Sequence, residues 1–239
     1  MTAHVRAEIL KLRTTRLVPG LLIGFLGLIV LYVLAVVSQT DVRDLELSPD
    51  APFAAAAAAV ILVLLLGVTV TAGEYRHGTI TATFLVTPVR ERVLAAKLIA
   101  ALLLGFAFAV AGVVVNVLVG WVALQAKGAD VSPLDGAAAE VLGATLLGCA
   151  LWSALGAAIG AVTRNQVSAI VAPVVWFLIA EPLVGHLLDE RGRYLPGAAL
   201  GSIFGDGDLS RTLGVLVSVG WIAVIGAIGA VLVVRDDVS

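Results

Sequence analysis

The sequence predicts an all-α integral membrane protein. Three observations carry that assignment: 60% of the 239 residues are hydrophobic, only 13% are charged, and the apolar residues gather into six long runs. Soluble domains hold roughly 25% charged and 45–50% apolar residues, whereas this chain has a mean hydropathy of +1.08. About 20 residues at a 1.5 Å rise cross a hydrocarbon core of about 30 Å, and the six runs 17–37, 53–73, 98–124, 138–162, 167–188 and 213–234 meet that length. Backbone groups in lipid must find partners within the segment, so each run is read as a helix. The period-two alternation of a membrane barrel does not occur. No strong repeat and no linker divides residues 1–239, which are read as a single domain.

Basic residues orient the spans. Arg6, Lys11, Arg13, Arg16, Arg76, Arg90, Arg92, Lys97, Arg164 and Arg235 fall on one side, while Arg43, Lys127, Arg191, Arg193 and Arg211 fall on the other. Acidic residues run the opposite way, with Asp41, Asp44, Glu46, Asp50, Asp130, Asp135, Glu140, Asp206 and Asp208 among those on the side poorer in basic residues. Both termini and the stretch before Lys97 are therefore expected in the cytoplasm; an even number of spans agrees independently, since it places both termini on one side.

Val5, Ile9 and Leu12 recur at helical spacing opposite Arg6 and Arg13. That pattern, with Lys11, fits a short amphipathic helix in the headgroup layer; a frayed basic tail is the alternative. The first apolar run is too long for a secretory h-region and ends at Asp41 without a small-residue cleavage pattern, so it is read as an uncleaved span.

Several chemistries are excluded. None of the three lysines follows a glycine, so a nucleotide-binding P-loop is absent. His4, His77 and His186 are scattered, and neither H-E-x-x-H nor G-x-S-x-G occurs, so no metal site or catalytic residue is expected. The lone Cys149 allows no disulfide within the chain. Basic residues form no single polar face, so nucleic acid is not an expected partner. Charged residues fall in connections or near span ends, which weakens an ion-coupled reading; Asn116 is the strongly polar residue well inside the third span, and Glu181 and His186 are placed near the outer end of the fifth.

The segment "TAGEYRHGTITATFLVTPVRERVLAAKL" (71–98) is longer than a hairpin needs. Thr79–Leu85 can form a short helix stopped by Pro88, after which Arg90–Lys97 starts the next one. The segment resembles the first cytoplasmic loop of ABC-2 type permeases in Glu74, the Gly78-Thr79 pair, Pro88 followed by Arg90, and Lys97 entering the third span. The resemblance covers essentially the whole chain. It implies a single ABC-2 transmembrane domain over residues 1–239 in a prokaryotic plasma membrane, with both termini cytoplasmic. It also implies a coupling helix around Arg76 to Leu85, including His77, that docks on a separate cytoplasmic ATPase carrying ATP and Mg, this chain binding no cofactor. A second identical or related permease would complete the exporter. Simple anchoring of Arg76, Arg90, Arg92 and Lys97 at lipid headgroups is the alternative for those side chains. In that family the segment before the last span dips into the outer leaflet, so Leu195–Phe204 is expected to be re-entrant, with an external lid as the competing account.

Gly156 and Gly160 form a G-x-x-x-G that suits close helix packing, and Pro173 is expected to bend the fifth span. Asn116, Trp152, Trp176 and Trp221 are candidates for a substrate pathway, with plain packing as the competing role for the tryptophans. The leading function is the membrane subunit of an ATP-driven exporter of a drug, lipid, peptide or similar hydrophobic or amphipathic substrate. A self-contained secondary transporter or channel, or a membrane immunity or anchor protein, are the competing classes.

Overall fold

The computed structural model describes residues 2–13, 15–48, 50–76, 78–80, 83, 85, 89–129 and 136–235. His77, Thr87, Pro88 and Ser132 lie outside the described residues, as do the side chains of Leu12 and Arg13. Among the described residues there are helices and turns but no strand.

In chain order the elements are α1 (Thr2–Arg13), α2 (Leu17–Gln39), α3 (Val42–Leu47), a 3-10 turn (Ala51–Phe53), α4 (Ala55–Arg76), α5 (Arg90–Lys127), α6 (Gly136–Thr163) and α7 (Gln166–Val175). A π-helical stretch (Trp176–Ala180), α8 (Glu181–Leu188), a second 3-10 segment (Asp189–Tyr194), α9 (Pro196–Ile203) and α10 (Arg211–Arg235) complete the chain. Six helical segments are long and apolar enough to cross a membrane, the fifth assembled from Gln166–Tyr194. The chain is a multi-pass membrane protein.

Span boundaries depart from the apolar runs where helix continues into polar sequence. α5 holds 38 residues, about 57 Å of helix, so its first two turns project beyond a hydrocarbon core and carry Arg90, Glu91 and Arg92. Ile80, Thr83 and Leu85 are helical, with Thr83 N–H donating to Thr79 O at 3.2 Å.

α6 is the axle of the bundle. Its apolar window is 78% buried, against 17% for the fifth and sixth spans. Lipid offers apolar side chains as good an environment as a neighbouring helix, so tight packing rather than hydrophobicity must hold spans together. The sequence meets that requirement with small residues. A Cβ on Gly67 of α4 would lie 1.8 Å from Ser153 O, and one on Gly156 of α6 would lie 2.0 Å from Leu64 O. Gly160 faces Val68 O and Ala72 N, with room for a Cβ only at 3.1 and 3.2 Å. Thr71 Oγ1 donates to Ala157 O at 2.9 Å across the same contact. On the other flank, Gly105 of α5 approaches Cys149 O, which a Cβ would meet at 2.6 Å.

The fifth span is broken. Pro173 sits inside α7 and supplies no N–H, so the α-helical ladder is interrupted before the π-helical turn. α9, within the segment expected to be re-entrant, buries Pro196, Ala199, Leu200, Ser202 and Ile203, and Phe204 packs over Gly148 of α6, where a Cβ would come within 2.4 Å of its ring.

Backbone contact makes the glycines at this seam irreplaceable. Gly67→Val or Gly156→Leu is expected to lower the unfolding temperature of the purified protein by about 10 °C or prevent its accumulation, as overpacking of a tight site does. Gly27→Ala, with nothing within 4 Å of its added Cβ, is expected to melt like the parent in the same thermal size-exclusion assay.

Candidate functional site

Four charged side chains meet where α1 crosses the ends of α4 and α5. Lys97 Nζ lies 2.7 Å from Glu8 Oε2 and 3.0 Å from Glu74 Oε2. Lys11 Nζ lies 2.8 Å from Glu8 Oε1 and 2.6 Å from Glu74 Oε1. The result is a closed ring in which each ammonium touches both carboxylates and each carboxylate touches both ammoniums. Lys97 is 1% exposed, Glu8 5% and Glu74 8%, so three corners are withdrawn from solvent and Lys11 forms the outward one.

Local sequence explains each corner. Glu8 and Lys11 are one turn apart on α1, and Val5 and Ile9 of the same helix pack on Val70, Ala100, Ala101 and Ala157. The apolar edge of α1 is thus docked on the bundle, while Arg6 is exposed. Lys97 also donates to Val70 O at 3.2 Å; it is a buried tie between helices and not a headgroup anchor. Glu74 lies in the last turn of α4, which ends in a Schellman motif: Gly78 N–H donates to Tyr75 O at 3.4 Å and Thr79 N–H to Glu74 O at 3.0 Å. Gly78 has φ +64°, a conformation that penalises a side chain. The Gly-Thr pair is therefore the stop of α4 that turns the chain into the following segment.

That segment touches the ring. Thr83 Oγ1 lies 3.4 Å from both Glu74 carboxylate oxygens and accepts from Lys11 Nζ at 3.4 Å. Arg76 is exposed at the end of α4, beside exposed Gly78 and Thr79. Arg90 Nη1 donates to Val233 O at 2.7 Å, tying the start of α5 to the end of α10. Burial pulls the pKa of the Lys11 ammonium down, but the hydrogen bonds it donates to Glu74 and Glu8, with their negative charge, outweigh burial and hold its pKa above the usual lysine value.

The structure brings together Glu74, Lys97 and Lys11 of the residues singled out from sequence, and adds Glu8 and Thr83, which sequence reasoning missed. The available signal for Glu8 was a lone acid one turn before Lys11 in an otherwise basic segment. The other candidates disperse. Asn116 Nδ2 donates to Phe53 O at 2.9 Å, holding the entry to α4. Trp221 Nε1 donates to Tyr194 O at 2.8 Å. Trp176 Nε1 donates to Glu181 Oε2 at 2.7 Å. Trp152 packs edge-to-face on Phe177 with ring centroids 4.8 Å apart, in the wall of a cavity of about 560 Å³ at the end of the bundle remote from the ring.

Among known families, the sequence model described as "ABC-2 family transporter protein" matches residues 4–180. The match takes in all four ring residues and the segment after Gly78. No curated protein matches the chain.

Breaking one corner leaves a buried charge without its counter-ion, a loss of about 3–5 kcal/mol. Glu8→Gln and Lys97→Met are each expected to lower the unfolding temperature, and the Glu8→Gln/Lys97→Met double variant by less than the sum of the two, in a double-mutant cycle read by thermal melts. The raised Lys11 pKa gives a pH test. Its contribution is complete below the unfolded lysine pKa of about 10.4 and is lost as pH rises through the higher folded value. The parent is therefore expected to lose more stability between pH 9 and 12 than Lys11→Met; identical pH profiles would show that Lys11 contributes nothing.

Proposed function

The chain belongs to the ABC-2 transporter family, and from that premise we propose that it is the permease subunit of an ATP-driven exporter whose energy enters through the segment between α4 and α5. The observation that carries this reading is the buried ring. Glu74 and Lys97 flank that segment in sequence, 23 positions apart by their numbers, and are joined directly and through Glu8 and Lys11. A force on the segment acts on both of its ends together, so α1, α4 and α5 are displaced as one body instead of separating. The glycine seam then passes the displacement to α6, and the Arg90 contact passes it to α10.

In this reading the exposed Arg76, Gly78 and Thr79, with the helical positions up to Leu85, form the docking surface for a separate cytoplasmic ATPase. ATP and Mg act on that partner. The ring end of the bundle is the cytoplasmic end of a plasma-membrane protein. The thinly covered fifth and sixth spans face lipid or a second permease copy, and the cargo is hydrophobic or amphipathic.

One observation favours the secondary-transporter reading: Glu181 is a carboxylate only 6% exposed in a helical segment, Gln166–Tyr194, long and apolar enough to span, and buried intramembrane carboxylates serve ion coupling in other carriers. Reconstitution separates the two. The permease in vesicles with its ATPase is expected to expel substrate only with ATP, and uphill transport by the permease alone on a proton or sodium gradient would sink the exporter reading. Replacing Arg76, Gly78 and Thr79 by bulky or acidic residues is expected to abolish co-purification of the ATPase without impairing membrane insertion. Cysteines at Ser48 and Ser210 are expected to react with an impermeant reagent from outside, and one at Thr87 only from inside.

A further inference from the structure

The cavity remote from the ring is walled by the start of α4, by Trp152 of α6, by the broken fifth span and by α9 with its flanking turns. Its volume of about 560 Å³ falls within the range of sites for small ligands or a few residues of a peptide. The wall is chemically graded. Trp152 and Phe177 form an aromatic floor, while four carboxylates, Glu181, Asp189, Asp206 and Asp208, stand against the single guanidinium of Arg193. Asp189, Asp206 and Asp208 are exposed and form a wet rim. Glu181 is buried and rigidly placed: Oε1 accepts from Ala198 N at 2.7 Å and Oε2 from Trp176 Nε1 at 2.7 Å. A Cβ on Gly197 would come within 2.7 Å of Glu181 Oε1, so glycine there lets α9 close on the carboxylate.

Two donors in this region have no acceptor among the described residues. The indole N–H of Trp152, a residue 6% exposed, and Nε of Arg193 are both buried and unpartnered. Leaving a buried donor unpaired is costly, and a ligand carbonyl is the group that relieves it. An anion is disfavoured by the four carboxylates, and a purely hydrocarbon guest would leave both donors unpaired.

We propose that this cavity is a binding site within a single subunit for a cationic, amide-bearing amphiphile, a short amphipathic peptide being the best fit. Apolar side chains rest on Trp152 and Phe177, a backbone carbonyl accepts from the Trp152 indole, and ammonium groups meet the aspartates of the rim. As a statement of cargo class the inference rests on the exporter reading, but binding itself needs no ATPase.

The test uses the full chain in phosphatidylcholine nanodiscs, titrated calorimetrically with an acetylated, amidated octapeptide of alternating leucine and lysine. A control peptide carries glutamine for lysine. The lysine peptide is expected to bind, with affinity about tenfold lower in Asp206→Asn/Asp208→Asn, whose sites are exposed and do not endanger folding. Trp152→Phe keeps the ring and removes the donor, and is expected to cost about fivefold. Binding no greater than to empty nanodiscs, equal affinity for the two peptides, or an undiminished affinity in the aspartate variant overturns the site, and an undiminished affinity in Trp152→Phe overturns its amide half. Because the ATPase is absent, a failure here leaves ATP-driven export standing, and loss of ATPase co-purification leaves the cavity standing.

Discussion

A charge withdrawn from water survives in a folded membrane protein only if its partners replace the hydration it lost. The contact among Glu8, Lys11, Glu74 and Lys97 satisfies that constraint by closing on itself: two positive and two negative groups, four short contacts, no net charge. Lys97 could not lie 1% exposed inside a helix of otherwise apolar character without both carboxylates. Glu74 could not be buried at the end of α4 without both ammoniums. α1 is therefore no ornament on the bundle, because it supplies half of the ring. Breaking α1 away would leave the buried Lys97 and Glu74 to neutralise each other, at 3.0 Å, without the Glu8 and Lys11 contacts.

The glycine seam carries the same logic into the apolar interior. Between α4 and α6 the backbones touch, and Gly67 and Gly156 interlock from opposite sides. Side chains at such a contact have no slack to take up a relative movement by changing rotamer. Displacing α4 must displace α6 or separate the helices. The ring thus joins three helices by electrostatics, and the seam joins the fourth by steric contact.

Much of this was legible in the sequence. Hydrocarbon thickness and backbone satisfaction dictate the six spans, since few other structures accommodate runs of that length and apolarity. Glu74, Gly78, Thr79 and Lys97 stand out as polar or flexible punctuation in a greasy chain, and the structure gives Gly78 and Thr79 a plain task in ending α4. Glu8 did not stand out, because a single acid in a basic segment has no periodicity; its importance arises only when α1 packs against residues some 65 and 90 positions away. Gly67 was hidden for a related reason. Glycine is common throughout the chain, and only the facing carbonyl of Ser153 distinguishes it from Gly27. The extent of α5 escaped because helix runs unbroken from a polar stretch into an apolar one, and hydropathy marks only the second part.

The two ends of the bundle are built to opposite mechanical standards. At the ring end, charge contacts and hydrogen bonds join α1, α4, α5 and α10 directly. At the other end the fifth span gives up regular helix after Pro173, and cross-links run through an Arg211–Glu140 ion pair and hydrogen bonds to backbone carbonyls: Trp221 to Tyr194 O, Asn116 to Phe53 O, and Lys127 Nζ to Val37 O and Thr40 O. The neutral bonds among these contribute about 1 kcal/mol each and those from the Lys127 ammonium about 1.5–3 kcal/mol, less than a buried ion pair costs to break. On the exporter reading proposed above, a displacement entering at the ring end finds its compliance at the broken fifth span, where α9 leans on Glu181 and the cavity lies between α4, α6 and that span. On that reading the cavity changes shape while the ring stays whole.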